Sequence, residues 1–405
     1  MTADPQEITL PVETGAGLAA AAGFEYAGVE AGLKASGGRD VALIHNLGPE
    51  FTAAAVFTSN RFAAAPVEWS RQVVSDGRVD AVVLNSGGAN ACTGPEGFQN
   101  AHRTAEEVGE LLHAAAGDVL VCSTGLIGVQ LPMDRVSAGV REAASSLASG
   151  AEADRAAAEA IMTTDTVPKR ASVVLETEEG PVAVGGIAKG AGMLAPGLAT
   201  MLVVLTTDAS LPAEDLDAAL RTATAYSFDR ADSDGCMSTN DTVALLASGA
   251  SGVTPERGRF EEALRQVCVS LALQLIGDAE GASHDVHVTT VNAATEGQAL
   301  EVSRAVSRSN LVKTAIFGND PNWGRILAEV GTTRADYEPE RVDVSINGVT
   351  ICRGGAIGED RSLVDLAGDR RVEIAIDLRA GAARATVWTN DLTHDYVEEN
   401  SAYSS

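Results

Sequence analysis

The chain has 405 residues and a formal net charge of −27, from 29 Lys and Arg against 56 Asp and Glu. Hydrophobic residues make up 45% and charged residues 21%, a composition that supplies a large core and excludes global disorder. The acidic excess excludes a typical nucleic-acid-binding protein, which needs Lys and Arg to displace the counterions of the phosphate backbone.

Short strands and loops are predicted for the first hundred residues. Residues 40–46 (DVALIHN) and 81–85 (AVVLN) are apolar runs closed by turn residues, which is typical of strands. A helix is predicted from about Ala101, with four apolar residues on one face. These residues are Val108, Leu111, Leu112 and Ala115.

Strands and helices then alternate to the end of the chain. Residues 118–128 predict a buried strand that runs into a glycine turn, and residues 151–162 predict a helix. Residues 181–208 predict two apolar strands on either side of a glycine-rich loop, and residues 259–281 predict a long helix. The pattern indicates an α+β protein with mixed α/β layers, and composition marks no domain boundary.

Several classes of site and location are not expected. No apolar run approaches the ~20 residues of a membrane helix, and the first 15 residues lack the basic and apolar segments of a secretory signal. Five scattered cysteines without a CxxC pair indicate reduced thiols in a cytoplasm, with no disulfide framework and no metal site. We therefore expect a cytoplasmic protein without a membrane or nucleic-acid partner.

The loop GIAKGAGMLAPGLAT suggests a nucleophile. Thr200 follows the small residue Ala199 at the start of an apolar strand. A threonine hydroxyl needs a neighbouring base, and a chain cut before Thr200 would supply its own α-amine, with a pKa near ~7.7–8.0. The alternative is a flexible loop that leads into a core strand with a buried threonine.

A second element fits acyl transfer. In CSTGLIG, Thr124 and Gly125 follow a predicted strand. A hydroxyl and a backbone N–H that point the same way would stabilise the oxyanion of an acyl-transfer intermediate. The alternative is an ordinary turn at the end of a strand.

Eight motifs in order resemble one family. They are NSGGANACTG, CSTGLIG, AIMTTDTVPK, AKGAGMLAPGLATML, STNDT, DAEGA, LVKTAIFGNDPNWGR and DLTHDYVEENSAYSS. With the N-terminal third, they resemble the glutamate N-acetyltransferase/ornithine acetyltransferase family of arginine biosynthesis over essentially the whole chain.

The resemblance implies a self-cleaving enzyme with an N-terminal threonine nucleophile. The precursor would be cut between Ala199 and Thr200, giving an α chain of residues 1–199 and a β chain of residues 200–405. The implied fold is a layered sandwich like that of N-terminal-nucleophile hydrolases, with distinct connectivity, and the implied assembly is an α2β2 heterotetramer.

The implied reaction is a double displacement without a cofactor. Thr200 would take acetyl from N-acetyl-L-ornithine and pass it to L-glutamate, with Thr124 and Gly125 as the oxyanion hole. Acetyl-CoA is a further co-substrate that the sequence leaves open. The family's substrate-binding positions correspond here to Thr163, Lys189, Thr200, Glu280, Asn400 and Ser405.

The sequence departs from the family pattern in three places. Ser405 stands where many relatives end in threonine, and it keeps the hydroxyl. Ser283-His284 replaces the usual Thr-Lys after DAEGA, which removes a positive charge, and Gly88 stands where asparagine is common.

Other functions remain open at this point. An amidohydrolase or aminopeptidase would use the same nucleophile and pass the acyl group to water. A paralogue would act in secondary metabolism. A non-enzymatic binding or structural protein would keep an uncut chain with a buried Thr200.

Overall fold

A computed structural model describes residues 6–195 and 201–402 of the chain. The helices of these residues are α1 (Ala65–Val73), α2 (Gly94–Leu112), α3 (Met133–Ser145), α4 (Ala151–Ala160), α5 (Ala213–Ala225), α6 (Arg257–Gly277), α7 (Glu296–Ser307), α8 (Asn310–Phe317), α9 (Trp323–Val330) and α10 (His394–Ala402). The strands are β1 (Phe24–Val29), β2 (Val41–Asn46), β3 (Thr52–Phe57), β4 (Ala81–Asn85), β5 (Val119–Ser123), β6 (Lys169–Thr177), β7 (Gly180–Lys189), β8 (Leu202–Thr207), β9 (Thr242–Ala247), β10 (Asp285–Ala293), β11 (Asp343–Ile346), β12 (Val349–Arg353), β13 (Ala356–Ile357), β14 (Arg371–Asp377) and β15 (Ala383–Asn390).

The described chain forms two compact units. The first contains residues 6–193, 201–229 and 237–275, and the second contains residues 194–195, 230–236 and 276–402. The boundary near residue 275 lies inside α6. At this boundary the division falls within continuous secondary structure, and no linker marks it in the sequence.

The first unit is built around two sheets. One has the strand order β1-β2-β4-β5, and the other has the order β3-β9-β8-β7-β6. One apolar core joins side chains of both sheets, among them Ile44 and Leu84 of the first sheet and Ile187, Leu202 and Leu246 of the second. The two sheets thus pack face to face, as apolar faces that are excluded from water do.

Helices cover the outer faces of both sheets. Val83 and Val121 point away from the shared core and form a second cluster with Val108 of α2 and Val140 of α3. On the other sheet, α6 packs close to Gly186, where a Cβ would lie 3.1 Å from the side chain of Leu271 in α6 and 2.5 Å from that of Leu205 in β8. The unit therefore has the layers helix, sheet, sheet and helix, and the predicted layered α+β class is confirmed.

The second unit contains one sheet with the strand order β13-β12-β11-β14-β10-β15. β10 and β14 are parallel, and the other neighbours are antiparallel. Along β14 the side chains of Val372, Ile374 and Ile376 are buried, while the residues between them are more exposed. The apolar face packs against α7, α8 and α9, as expected of a sheet covered on one side.

The prediction for α2 was wrong in its start and in part of its buried face. The helix begins at Gly94, with proline in the first turn, and not near Ala101. Val108 is buried, but Leu111 and Ala115 are exposed. The buried face instead uses small residues, because these allow close approach to the neighbouring elements: Gly97, Ala101, Thr104, Ala105 and Gly109.

The predicted cut between Ala199 and Thr200 lies outside the described residues. The strands on either side of it, β7 and β8, are antiparallel neighbours in one sheet, with Lys189 paired to Leu202. The two predicted chains would thus share a sheet, and their boundary stays a prediction. Among the described helices, none combines the length and the apolar character needed to cross a membrane.

Candidate active site

The predicted oxyanion pair lies at the end of β5. Thr124 directly follows this strand and its side chain is buried. Gly125 has a φ of +129°, and a Cβ at this position would lie 2.8 Å from the backbone nitrogen of Gly88. Glycine is therefore required at position 125, because two backbone turns meet there. The N–H of Gly88 donates to the Thr124 carbonyl at 3.0 Å.

Lys189 brings three of the predicted site residues together. It is the last residue of β7 and is 1% exposed. Its Nζ donates to the hydroxyl oxygen of Thr163 at 2.8 Å and contacts that of Thr124 at 3.3 Å. Because the Thr124 oxygen accepts from Lys189, its own proton is free to point at another acceptor.

Asp165 is a site residue that sequence reasoning missed. Its Oδ1 accepts from Lys169 Nζ and from the N–H of Gly190, and its Oδ2 accepts from the N–H of Thr163. Burial alone would raise the pKa of this carboxyl, but the ammonium groups of Lys189 and Lys169 lower it to about 2. The buried carboxylate therefore stabilises both ammonium charges and fixes the chain around Thr163 and Lys189.

Asn240 is a second residue that the motifs contained without a predicted role. Its amide nitrogen donates to the carbonyl oxygens of Ala89 at 2.6 Å and Ser123 at 2.8 Å. Asn85 donates to the Ser123 hydroxyl at 2.6 Å. These bonds fasten the turns that follow β4 and β5. The STNDT motif is the only signal in the sequence that singles Asn240 out.

Glu280 and Asn400 are brought together within the second unit. Asn400 lies in α10, and its amide donates to Glu280 Oε2 at 3.0 Å. Glu280 lines a cavity of about 90 Å³ together with Asp234, Lys313 and Tyr396. This cavity combines carboxylates with a lysine whose pKa burial lowers to about 8.

The departure at Ser283-His284 has a structural role. His284 Nδ1 lies 2.9 Å from Asp391 Oδ2, and its Nε2 lies 3.1 Å from the Leu366 carbonyl oxygen. The N–H of Ser283 donates to Asp391 Oδ1 at 2.9 Å. These contacts connect the loop after α6 to the residue that follows β15.

Three predicted site residues, Ala199, Thr200 and Ser405, lie outside the described residues. Within the ranges 6–195 and 201–402, no three His, Cys, Asp or Glu side chains are grouped as metal ligands would be. Of the predicted residues that are described, Thr124, Gly125, Thr163 and Lys189 belong to the first unit, and Glu280 and Asn400 belong to the second.

Sequence comparison assigns the family. The model of the ArgJ family matches residues 25–405. The arginine biosynthesis bifunctional protein ArgJ of Streptomyces coelicolor is 61% identical over 388 residues, which are 96% of this chain and 100% of that protein. The protein of the same name from Thermobifida fusca is 56% identical over 383 residues, 95% of this chain and 98% of that protein.

Among solved structures, the ornithine acetyltransferase of Mycobacterium tuberculosis complexed with ornithine is 49% identical to this chain. It covers 47% of this chain and 98% of its own, with a TM-score of 0.44. The family model over residues 25–405 and the full-length relatives show the family. The chain belongs to the ArgJ family, and its resemblance to the acetyltransferases of arginine biosynthesis is confirmed.

Proposed function

We propose that the protein transfers acetyl from N-acetyl-L-ornithine to L-glutamate through an acetyl ester on Thr200. The observation that carries this proposal is the buried group of Lys189, Thr124 and Thr163, whose polar atoms converge at the end of β5. Family membership, over 96% of the chain with the Streptomyces coelicolor relative, supports the same chemistry.

The first half-reaction forms the ester. The Thr200 oxygen attacks the acetyl carbonyl carbon while the α-amine of Thr200 takes the hydroxyl proton. The Thr124 hydroxyl and the Gly125 N–H donate to the oxyanion that develops. Ornithine leaves when its nitrogen takes that proton and the C–N bond breaks. In the second half-reaction the neutral amine of glutamate attacks the ester carbonyl carbon and gives one proton to the α-amine of Thr200. The C–O bond to Thr200 breaks as that proton passes to the Thr200 oxygen, which restores the hydroxyl and releases acetylglutamate.

Charged groups at two of the predicted positions fit amino-acid substrates. We propose that Lys189 pairs with an α-carboxylate and that Glu280 binds the side-chain ammonium group of ornithine. Thr163, Asn400 and Ser405 complete the proposed binding residues. The proposed assembly is an α2β2 heterotetramer, and the proposed location is the cytoplasm. Light scattering tests the assembly, because an α2β2 heterotetramer has the mass of two precursor chains.

Acetyl-CoA is the proposed second acetyl donor. The word "bifunctional" in the names of the relatives from Streptomyces coelicolor and Thermobifida fusca supports this proposal. Because the acetyl group would pass through the same Thr200 ester, no additional cofactor is proposed. Release of CoA that depends on glutamate is the expected result, and CoA release at the same rate without glutamate would contradict it.

The proposal is tested by following a deuterated acetyl group. Enzyme, N-[²H₃]acetylornithine and glutamate are mixed, and the products are measured by mass spectrometry. We expect labelled acetylglutamate and free ornithine in equal amounts. Release of labelled acetate at a rate that glutamate does not change would instead indicate the amidohydrolase alternative.

A further inference from the structure

Asp241 contacts the residue that follows the proposed nucleophile. It directly precedes β9 and its side chain is completely buried. Its Oδ1 accepts a hydrogen bond from the N–H of Met201 at 3.1 Å. The nitrogen of Met201 is bonded to the carbonyl carbon of Thr200, so the carboxyl lies one peptide group from the nucleophile.

Both backbone polar groups of Met201 are held by the start of β9. Besides the bond from its N–H to Asp241, the Met201 carbonyl oxygen accepts from the N–H of Thr242 at 3.2 Å. Regular strand pairing begins only at Leu202, which is paired with Lys189 on one side and Thr242 on the other. The bond to Asp241 therefore fixes the backbone at the residue before β8, which is bonded to Thr200.

Asp241 is itself fixed and buried, so its carboxyl is a rigid acceptor for the Met201 N–H. The backbone carbonyl of Asp241 accepts from the N–H of Thr58 at 3.0 Å, which fixes the residue itself. Its second oxygen, Oδ2, is buried and has no hydrogen-bond partner in the described part of the chain. Burial raises the pKa of the carboxyl well above its usual value, although the hydrogen bond from the Met201 N–H and the charge of Lys189 oppose this shift.

We infer that Asp241 is a positioning residue, which holds Thr200 in its reactive orientation by fixing the Met201 amide. The inference rests on the proposed role of Thr200. A residue at a newly formed chain end has no preceding peptide to restrain it, so its orientation depends on the peptide that follows. Displacement of a reacting group by about 1 Å costs on the order of 10²-fold in rate.

Three variants test the inference. Asp241→Ala removes the acceptor, and Asp241→Asn keeps an oxygen that accepts from Met201 but holds no acidic proton. Asp208→Ala is the matched control, because Asp208 follows the other end of β8 and accepts from the N–H groups of Ala183 and Ala22. The readouts are the cleaved fraction by intact mass, the kcat and KM of acetyl transfer, and the melting temperature.

We expect Asp241→Ala to slow cleavage and to lower kcat by about 10²-fold, with KM within about two-fold of the unchanged enzyme. The kcat of Asp241→Asn should lie within about ten-fold of that of the unchanged enzyme. Its dependence on pH should be the same as in the unchanged enzyme. Asp208→Ala should lower the melting temperature but leave kcat of the folded enzyme unchanged. If Asp241→Ala does not fold, Asp241→Leu fills the space and gives the same expectation.

Two results would overturn the inference. One is normal cleavage and normal kcat in folded Asp241→Ala or Asp241→Leu. The other is an Asp241→Asn variant that is as slow as Asp241→Ala or has a shifted pH profile, because the acidic proton and not the acceptor would then matter. Failure of the unchanged protein to transfer acetyl is a separate result that contradicts the proposed function, and the cleavage assay still tests Asp241.

Discussion

A buried ammonium group needs a counter-charge, and Asp165 supplies it for Lys169 and Lys189. All three side chains are nearly excluded from water. The motif MTTDTVPK contains Asp165 and Lys169, but Lys189 lies twenty residues farther along, in β7. No local pattern shows that these residues meet, so sequence reasoning selected Lys189 from its motif and missed the carboxylate that holds it in place.

The Asp165–Lys169 pair predicts a loss of stability in Asp165→Asn. Breaking a buried ion pair by removing one partner costs about 3–5 kcal/mol, because an uncompensated charge remains buried. The difference in urea unfolding midpoint between the wild type and Asp165→Asn measures this loss. A midpoint within error of the wild type at pH 6 would contradict the assigned role.

The same carboxyl predicts a dependence on pH. Its pKa is about 2 in the folded protein, below the ordinary value of 3.8, so its stabilisation is complete above about pH 4 and is lost as the pH falls toward 2. The stabilisation that depends on the ionisation of Asp165 is on the order of 2 kcal/mol, and about half of it should be lost at pH 3. Urea unfolding of both proteins at pH 6, 4 and 3 should show the difference between them shrinking.

Thr124 is predicted to contribute to the chemical step. Thr124→Ala removes the hydroxyl that would donate to the oxyanion and should lower kcat by about 10- to 10³-fold, one to a few kcal/mol. Thr124→Ser keeps the hydroxyl and is the matched control. Rates of acetylglutamate formation distinguish the two, and full turnover in the alanine variant would remove Thr124 from the site.

At the scale of elements, patterns of large apolar residues correctly predicted the position and buried face of a helix. Where small residues form the buried face, the sequence predicted it less well. The helix predicted over residues 259–281 is α6, which ends at Gly277, and its apolar residues Phe260, Leu264 and Leu271 are buried. In α2, the buried face is made of glycine, alanine and threonine, which carry little hydrophobic signal, so its start and face were misjudged.

Close packing at Gly28 predicts a loss of stability when a side chain is added there. It lies in β1, and a Cβ there would be 1.9 Å from the carbonyl oxygen of Ala156 in α4. Gly28→Ala should therefore push the helix from the sheet and cost about 1–3 kcal/mol. Gly15→Ala is the control, since its Cβ would meet no atom within 4 Å. Equal melting temperatures for both variants would contradict the close contact between Gly28 and α4.

At the scale of the whole molecule, the fold class and the family followed from the sequence, and the division into units did not. The motifs identified a layered α+β acetyltransferase because eight matches in order are specific, and the family model matches residues 25–405. The unit boundary near residue 275 lies within the continuous helix α6, where the sequence has no linker. Only three-dimensional packing reveals it.

The central claim is that Thr200 is released as an N-terminal nucleophile. Denaturing intact mass and N-terminal sequencing of the purified protein test it most directly, with Thr200→Ala as the control. We predict two fragments, the second beginning with Thr200-Met201-Leu202, and a single uncut chain for Thr200→Ala. An uncut wild-type chain, or cleavage before position 200 in Thr200→Ala, would contradict the account.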